Sequence, residues 1–202
     1  VTLYTVVEVD VIENGSQLTP CDSVPTEYLE STEEFNILFE LEVLALGGNL
    51  EVEFDMDNRR ANAIAKRDGD IWKIIFYGGM IRNKRMNTDI FSAILCHELG
   101  HHIAGAPFKF PDSPDKSWIT AEGQSDYFTT NICLKKMYQY SDNATYLLTN
   151  PASDFIKNAC SKKEPKNFNL CLRNSLIAEQ VGVFISKLNQ RGRGRRKPTP
   201  RI

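Results

Sequence analysis

The chain has 202 residues, 42% of them apolar and 10% aromatic, enough to bury one sizeable core, and is read as one domain over residues 1–190 followed by a tail. No run of about 18 apolar residues is present to span a bilayer, and the opening VTLYTVVEVD has neither a charged n-region nor a small-residue cleavage site, so a soluble chain is expected, its lack of an initiator Met pointing to a processed or trimmed product. The formal net charge of −2 hides an asymmetry: residues 191–202 hold six of the 24 basic residues, and the remaining 18 face 26 acidic ones, a net of −8.

In chain order, residues 2–12 (TLYTVVEVDVI) are β-branched and loosely alternating, which predicts a strand or extended arm. SQLTPCDSVP is a loop. Ser31 followed by Glu34 fits a capping box, and Phe35, Leu38, Phe39, Leu41 and Leu44 form an apolar stripe, predicting a helix over about 32–46 that ends at Gly47-Gly48. LEVEFDMD, ANAIAKR and IWKIIFYGG, separated by the turn-rich NRR and DGD, read as an antiparallel meander. Asn87, Thr88 or Asp89 then caps a helix through Ile103 that stops at Gly105. After the loop FKFPDSPDKS, further helices are expected over about 118–138, 151–161 and 167–189. The class is therefore α+β: a small antiparallel sheet packed on helices. The tail RGRGRRKPTPRI, rich in Arg, Gly and Pro, is expected to be extended or disordered. With no interleaved aromatic residues and an acidic body behind it, it argues against a nucleic-acid partner.

Five cysteines (Cys21, Cys96, Cys133, Cys160 and Cys171) form no CxxC pair, so they predict one or two disulfides in an oxidising, periplasmic or secreted setting rather than a zinc or redox motif. The odd count leaves one unpaired, and Cys96, in an apolar helix segment beside His97, is the candidate for a buried free thiol.

All three histidines lie in the run ILCHELGHHIAG. His97 and His101, four residues apart on a helix, are separated by about 40° around its axis and one turn along it, so one Zn²⁺ can take an imidazole nitrogen from each. His102 points off that line. Glu98 completes H-E-x-x-H, in which the glutamate is the base acting on water. A catalytic zinc needs a third protein ligand and an open position. With no further histidine, that ligand is a carboxylate or a cysteine. Glu122, 21 residues beyond His101 at the start of the next helix, is the best carboxylate, with Asp112, Asp115 and Cys133 as alternatives. Asp126, one turn after Glu122, is placed to accept the second ring N–H of a ligand histidine.

HELGH followed by E-x-x-x-D resembles the gluzincin metallopeptidases, in particular the HtpX-like and CaaX-prenyl-protease-like endopeptidases and the minigluzincins. The likeness covers about 70–140 well and 31–69 in outline, and no more. It implies a gluzincin fold, His97, His101 and Glu122 as zinc ligands, Glu98 as general base, Asp126 as support, and a peptide or protein substrate along an edge strand near 70–77. That chain course agrees with the general habit of extended peptides to add to a sheet edge. The membrane-spanning helices of some members are absent, as is a later histidine to stabilise the oxyanion, a role left to Tyr77, Tyr127, an arginine or the ion alone. The implied activity is zinc-dependent endopeptidase hydrolysis, the alternative a catalytically silent or latent zinc-binding module acting as scaffold or proenzyme.

Overall fold

The computed structural model describes residues 23–193; the predicted strand over 2–12, Cys21 and residues 194–202 lie outside them. The elements are α1 (Thr26–Ala45), β1 (Asn49–Asp55), β2 (Ala63–Asp68), β3 (Ile71–Tyr77), the single turn α2 (Gly78–Ile81), α3 (Thr88–Ile103), α4 (Glu122–Phe128), a π-helical turn (Thr129–Cys133), α5 (Leu134–Tyr138), α6 (Asn143–Thr149), α7 (Asp154–Lys163) and α8 (Phe168–Arg193). The α+β class holds. Among the described residues no helix is long and apolar enough to cross a membrane.

The sheet is mixed rather than an antiparallel meander. Its order is β1-β3-β2, with β2 antiparallel to β3 across the Gly69-Asp70 turn and β1 parallel to β3. The reason lies at the end of β3. The link from β1 to β2 crosses over Gly78 and Gly79, with Gly79 N–H donating to the Asn58 carbonyl at 2.9 Å. A Cβ on Gly78 would lie 2.3 Å from the Met56 carbonyl oxygen, and one on Gly79 would lie 2.2 Å from that of Arg59. Two adjacent residues without side chains let the chain pass, so β1 pairs on the far side of β3. Residues 71–77 are consequently the central strand and not the expected edge. β2 is the edge strand next to α3.

The first helix begins earlier than expected, directly after Pro25 and without a side-chain cap. Ser31 lies inside it, its hydroxyl hydrogen-bonded to that of Ser92 at 2.8 Å, so the expected capping box does not form. Tyr28, Phe35, Phe39 and Val43 make its buried face, whereas Leu41 and Leu44 point to solvent. α3 runs as expected from its Asn87 cap, whose side chain accepts from Ile90 N–H at 2.8 Å. Its Phe91 is the hub of the core, stacked on Tyr28 and packed against Phe76, with ring centroids 4.7 and 4.6 Å away. Asp89, in the first turn of α3, accepts from Tyr146 of α6 at 2.8 Å and pairs with Arg173 of α8 at 3.2 Å. The helix expected over 118–138 starts at Glu122 and is interrupted by the π-helical turn; the one expected near 151–161 is α7, and α6 was not foreseen.

Two disulfides are present, Cys96–Cys133 and Cys160–Cys171. Cys96 is thus not a free thiol. It ties α3, one residue before His97, to the π-helical turn, and both its sulfur and that of Cys133 are fully buried. Two disulfides fit an oxidising, extracellular setting. Closing a loop of sequence separation 37 stabilises by about 4 kcal/mol on chain entropy. Replacing Cys96 and Cys133 together with Ala is expected to lower the unfolding free energy by about 2–5 kcal/mol in a urea titration; an unchanged midpoint would show that packing alone holds these helices.

Candidate metal centre

α3 and α4 cross at Gly100 and Ser125. A Cβ on Gly100 would lie 2.4 Å from Ser125 Oγ and 3.0 Å from Ser125 Cα, so only glycine permits this approach. Ser125, fully buried, donates its hydroxyl to the carbonyl of His97. That crossing sets the first turn of α4 over the histidines of α3.

The outcome is a convergence of acceptor atoms. Glu122 Oε2 lies 3.2 Å from His97 Nε2 and 3.6 Å from His101 Nε2. The other ring nitrogens are occupied: His97 Nδ1 lies 2.9 Å from Asp126 Oδ1, and His101 Nδ1 2.8 Å from the Thr120 carbonyl oxygen. Carboxylate and carbonyl oxygens accept only, so both Nδ1 atoms carry a proton, and a ring in its neutral form turns its Nε2 lone pair toward Glu122. With both rings neutral, three electron-pair donors meet with no hydrogen between them, an arrangement that a cation relieves. Desolvation by burial holds His101 below its ordinary pKa, opposing relief by protonation there. His97, Glu98 and His101 also form a group whose ligand atoms all lie within 4.8 Å of one another, so this cluster could hold a metal ion.

Glu98 is buried beside the histidines. Desolvation pushes its carboxyl up to about 7, against the opposing His97 charge and a hydrogen bond from the backbone of Ala65 on β2. Burial also raises the Glu122 carboxyl, but a hydrogen bond from Lys109 with the charges of His101, Lys109 and His97 outweighs it, leaving Glu122 below the usual range. These groups line a cleft of about 880 Å³ with one wall from β2 (Ala63, Ile64, Ala65) and an apolar wall that includes Ile94, Leu134, Val181 and Ile185.

His102 takes no part. Its ring is stacked against Trp118, with centroids 4.9 Å apart, and Trp72, at 5.6 Å; its Nε2 sits 3.0 Å from the Lys73 carbonyl oxygen, and burial lowers its pKa to about 4. It fastens the loop before α4 to the sheet. Tyr77 ends the central strand and Tyr127 is 56% exposed on α4; neither lines the cleft. Cys133 is closed off by its disulfide, and Asp112 and Asp115 do not line the cleft either.

Two contributors escaped the sequence reading. Phe108 bridges Thr120 as a short antiparallel pair, and Lys109 N–H donates to the Ile119 carbonyl at 2.7 Å, so the loop folds back on itself. That pairing presents the Thr120 carbonyl to His101 and the Lys109 ammonium to Glu122 Oε1. Neither has a periodic or motif signal, because a backbone carbonyl and a lone lysine in a turn-rich loop look like any others.

No family model, no curated protein and no solved structure matches this chain.

Gly100→Ala tests the crossing. Helix propensity favours Ala by about 1 kcal/mol, while overpacking costs about 1–3 kcal/mol. Unfolding stability is therefore expected to fall by no more than about 2 kcal/mol, while any divalent-metal affinity of the wild type, read by chelator competition, should drop about tenfold or more as the Glu122 carboxylate is carried off the histidines. Wild-type affinity in this variant would show that the close approach does not set the site.

Proposed function

We propose that the chain is a zinc-dependent endopeptidase of gluzincin type, with His97, His101 and Glu122 as the protein ligands. The observation carrying this reading is the position of Glu122 Oε2 between two imidazole Nε2 atoms whose Nδ1 atoms are already committed. Two imidazoles and a carboxylate are a donor set suited to a catalytic zinc, leaving one position open. Glu98 belongs to the same cluster, but its hydrogen bond from Ala65 and its place along the cleft favour the proton acceptor over the ligand. Zinc in that seat would polarise a carbonyl and lower the pKa of a coordinated water to about 7.

The chain's own residues do the rest. Asp126 and the Thr120 carbonyl fix the ring tautomers, so that both Nε2 atoms remain donors to a cation. Glu98 takes the proton from the attacking water and passes it to the leaving amine. An extended peptide adds to the edge of β2 that is unpaired among the described residues and lines the cleft at residues 63–65, in place of the 70–77 segment that lies inside the sheet. The disulfides are consistent with work in the periplasm or outside the cell.

A silent or latent zinc-binding module would keep the same seat without the proton transfer. Glu98, buried but lining the cleft, favours the enzyme. Zinc-loaded wild type is expected to cleave members of an unbiased peptide library. Glu98→Gln should retain one zinc per chain and lose cleavage by several orders of magnitude. Zinc retention with no cleavage of any peptide by wild type would favour the silent module, and equal cleavage by Glu98→Gln would remove Glu98 from the mechanism.

A further inference from the structure

Each of the three side chains that converge on the centre is held by one partner on the atom facing away from it. His97 has Asp126 on Nδ1, His101 has the Thr120 carbonyl on Nδ1, and Glu122 has the Lys109 ammonium on Oε1. The first two contacts select which ring nitrogen is free. The third has the same form on a carboxylate, where the choice lies between offering one oxygen or two.

We infer that Lys109 is a positioning residue: by holding Oε1 of Glu122, it limits that carboxylate to a single oxygen toward the ion and keeps one coordination position open for water. The inference rests on the metal reading above for the place of the ion and goes beyond it in assigning Lys109. Lys109 is not a chance neighbour from a free loop. Its backbone N–H is tied to Ile119, the residue before it bridges Thr120, and Ala121 N–H donates to the Pro107 carbonyl at 2.8 Å. These contacts fix the start of the Lys109 side chain relative to the first turn of α4, where Glu122 sits. The ammonium lines the cleft beside His97, Glu98 and His101. Without it, nothing among the described residues lies within hydrogen-bonding distance of Oε1. A carboxylate with both oxygens free tends to close on a zinc-like ion through both, filling the position that water needs. The lysine charge also offsets that of Glu122, so the centre loses less of its electrophilic character to its anionic ligand.

The test uses the full chain with Lys109→Met, which keeps most of the unbranched stem and removes the charge, and Lys109→Arg, which restores a cationic donor. Metal affinity alone would mislead, because removing an ammonium also removes a charge that repels the ion. The deciding readout is the visible spectrum of the Co²⁺-loaded protein, since four-coordinate cobalt absorbs several-fold more strongly than five-coordinate cobalt. Lys109→Met is expected to bind one cobalt with the weaker spectrum of the higher coordination number. The zinc form should lose about 10- to 100-fold in peptide hydrolysis at full metal content, and Lys109→Arg should recover both properties. A wild-type cobalt spectrum in Lys109→Met overturns the inference and leaves the metal reading standing. So does a lost spectrum that Lys109→Arg does not restore, which would mark a purely structural role. Failure of wild type to take up Co²⁺ or Zn²⁺ overturns both.

Discussion

The site depends on one close approach between helices. At Gly100 the backbone of α3 comes so near to Ser125 of α4 that a methyl group has no room. Ser125 uses the proximity to donate to the carbonyl of His97, which couples the helix contact to the histidine itself. Everything that faces the cleft from α4 follows, because Glu122 and Asp126 are one turn apart and flank the contact on either side of Ser125. On the other side of His97, the buried Cys96–Cys133 bridge ties α3 to the π-helical turn that follows α4.

Around that contact the polar groups are arranged so that what is buried is also partnered. His102 is satisfied by the Lys73 carbonyl of β3, and the Thr120 hydroxyl donates to the Gly105 carbonyl at 2.9 Å within the loop that joins α3 to α4. The atoms that face one another at the centre are His97 Nε2, His101 Nε2 and Glu122 Oε2. A carboxylate oxygen facing two imidazole nitrogens is a place that a cation fits. The restraint on each of these side chains comes from a different part of the chain: α4 for His97, the Thr120 backbone for His101 and Lys109 for Glu122. The site is therefore sensitive to the course of the whole 105–121 loop and not only to the helix that carries H-E-x-x-H.

Much of this was legible in the sequence because it is local. The Asn87 cap and the Gly105 stop bound α3, the four-residue spacing places His97 beside His101, and the same spacing places Asp126 beside Glu122. Glu122, 21 residues beyond His101 at the start of the next helix, is the carboxylate the sequence favours, and the structure brings the two pairs together. Strand order was not legible, because it depends on a crossing over Gly78 and Gly79 that no period of alternation encodes. Nor was the pairing of Cys96, since spacing does not determine disulfide partners. The first helix was misplaced at its start because Ser31 and Glu34 match a cap in sequence while Ser31 is in fact drawn to Ser92, 61 positions away. Lys109 became visible only once the loop was seen to fold back at Phe108 and Thr120.

The central claim is that α3 and α4 together build one seat for a metal ion from two imidazoles and a carboxylate. X-ray absorption at the zinc edge of the zinc-loaded protein reads those atoms directly. The expected spectrum shows one zinc per chain in a low-coordinate shell of nitrogen and oxygen, with the outer-shell scattering of two imidazole rings and no sulfur. A shell containing sulfur, scattering from a single imidazole, or a six-coordinate oxygen environment would contradict the account.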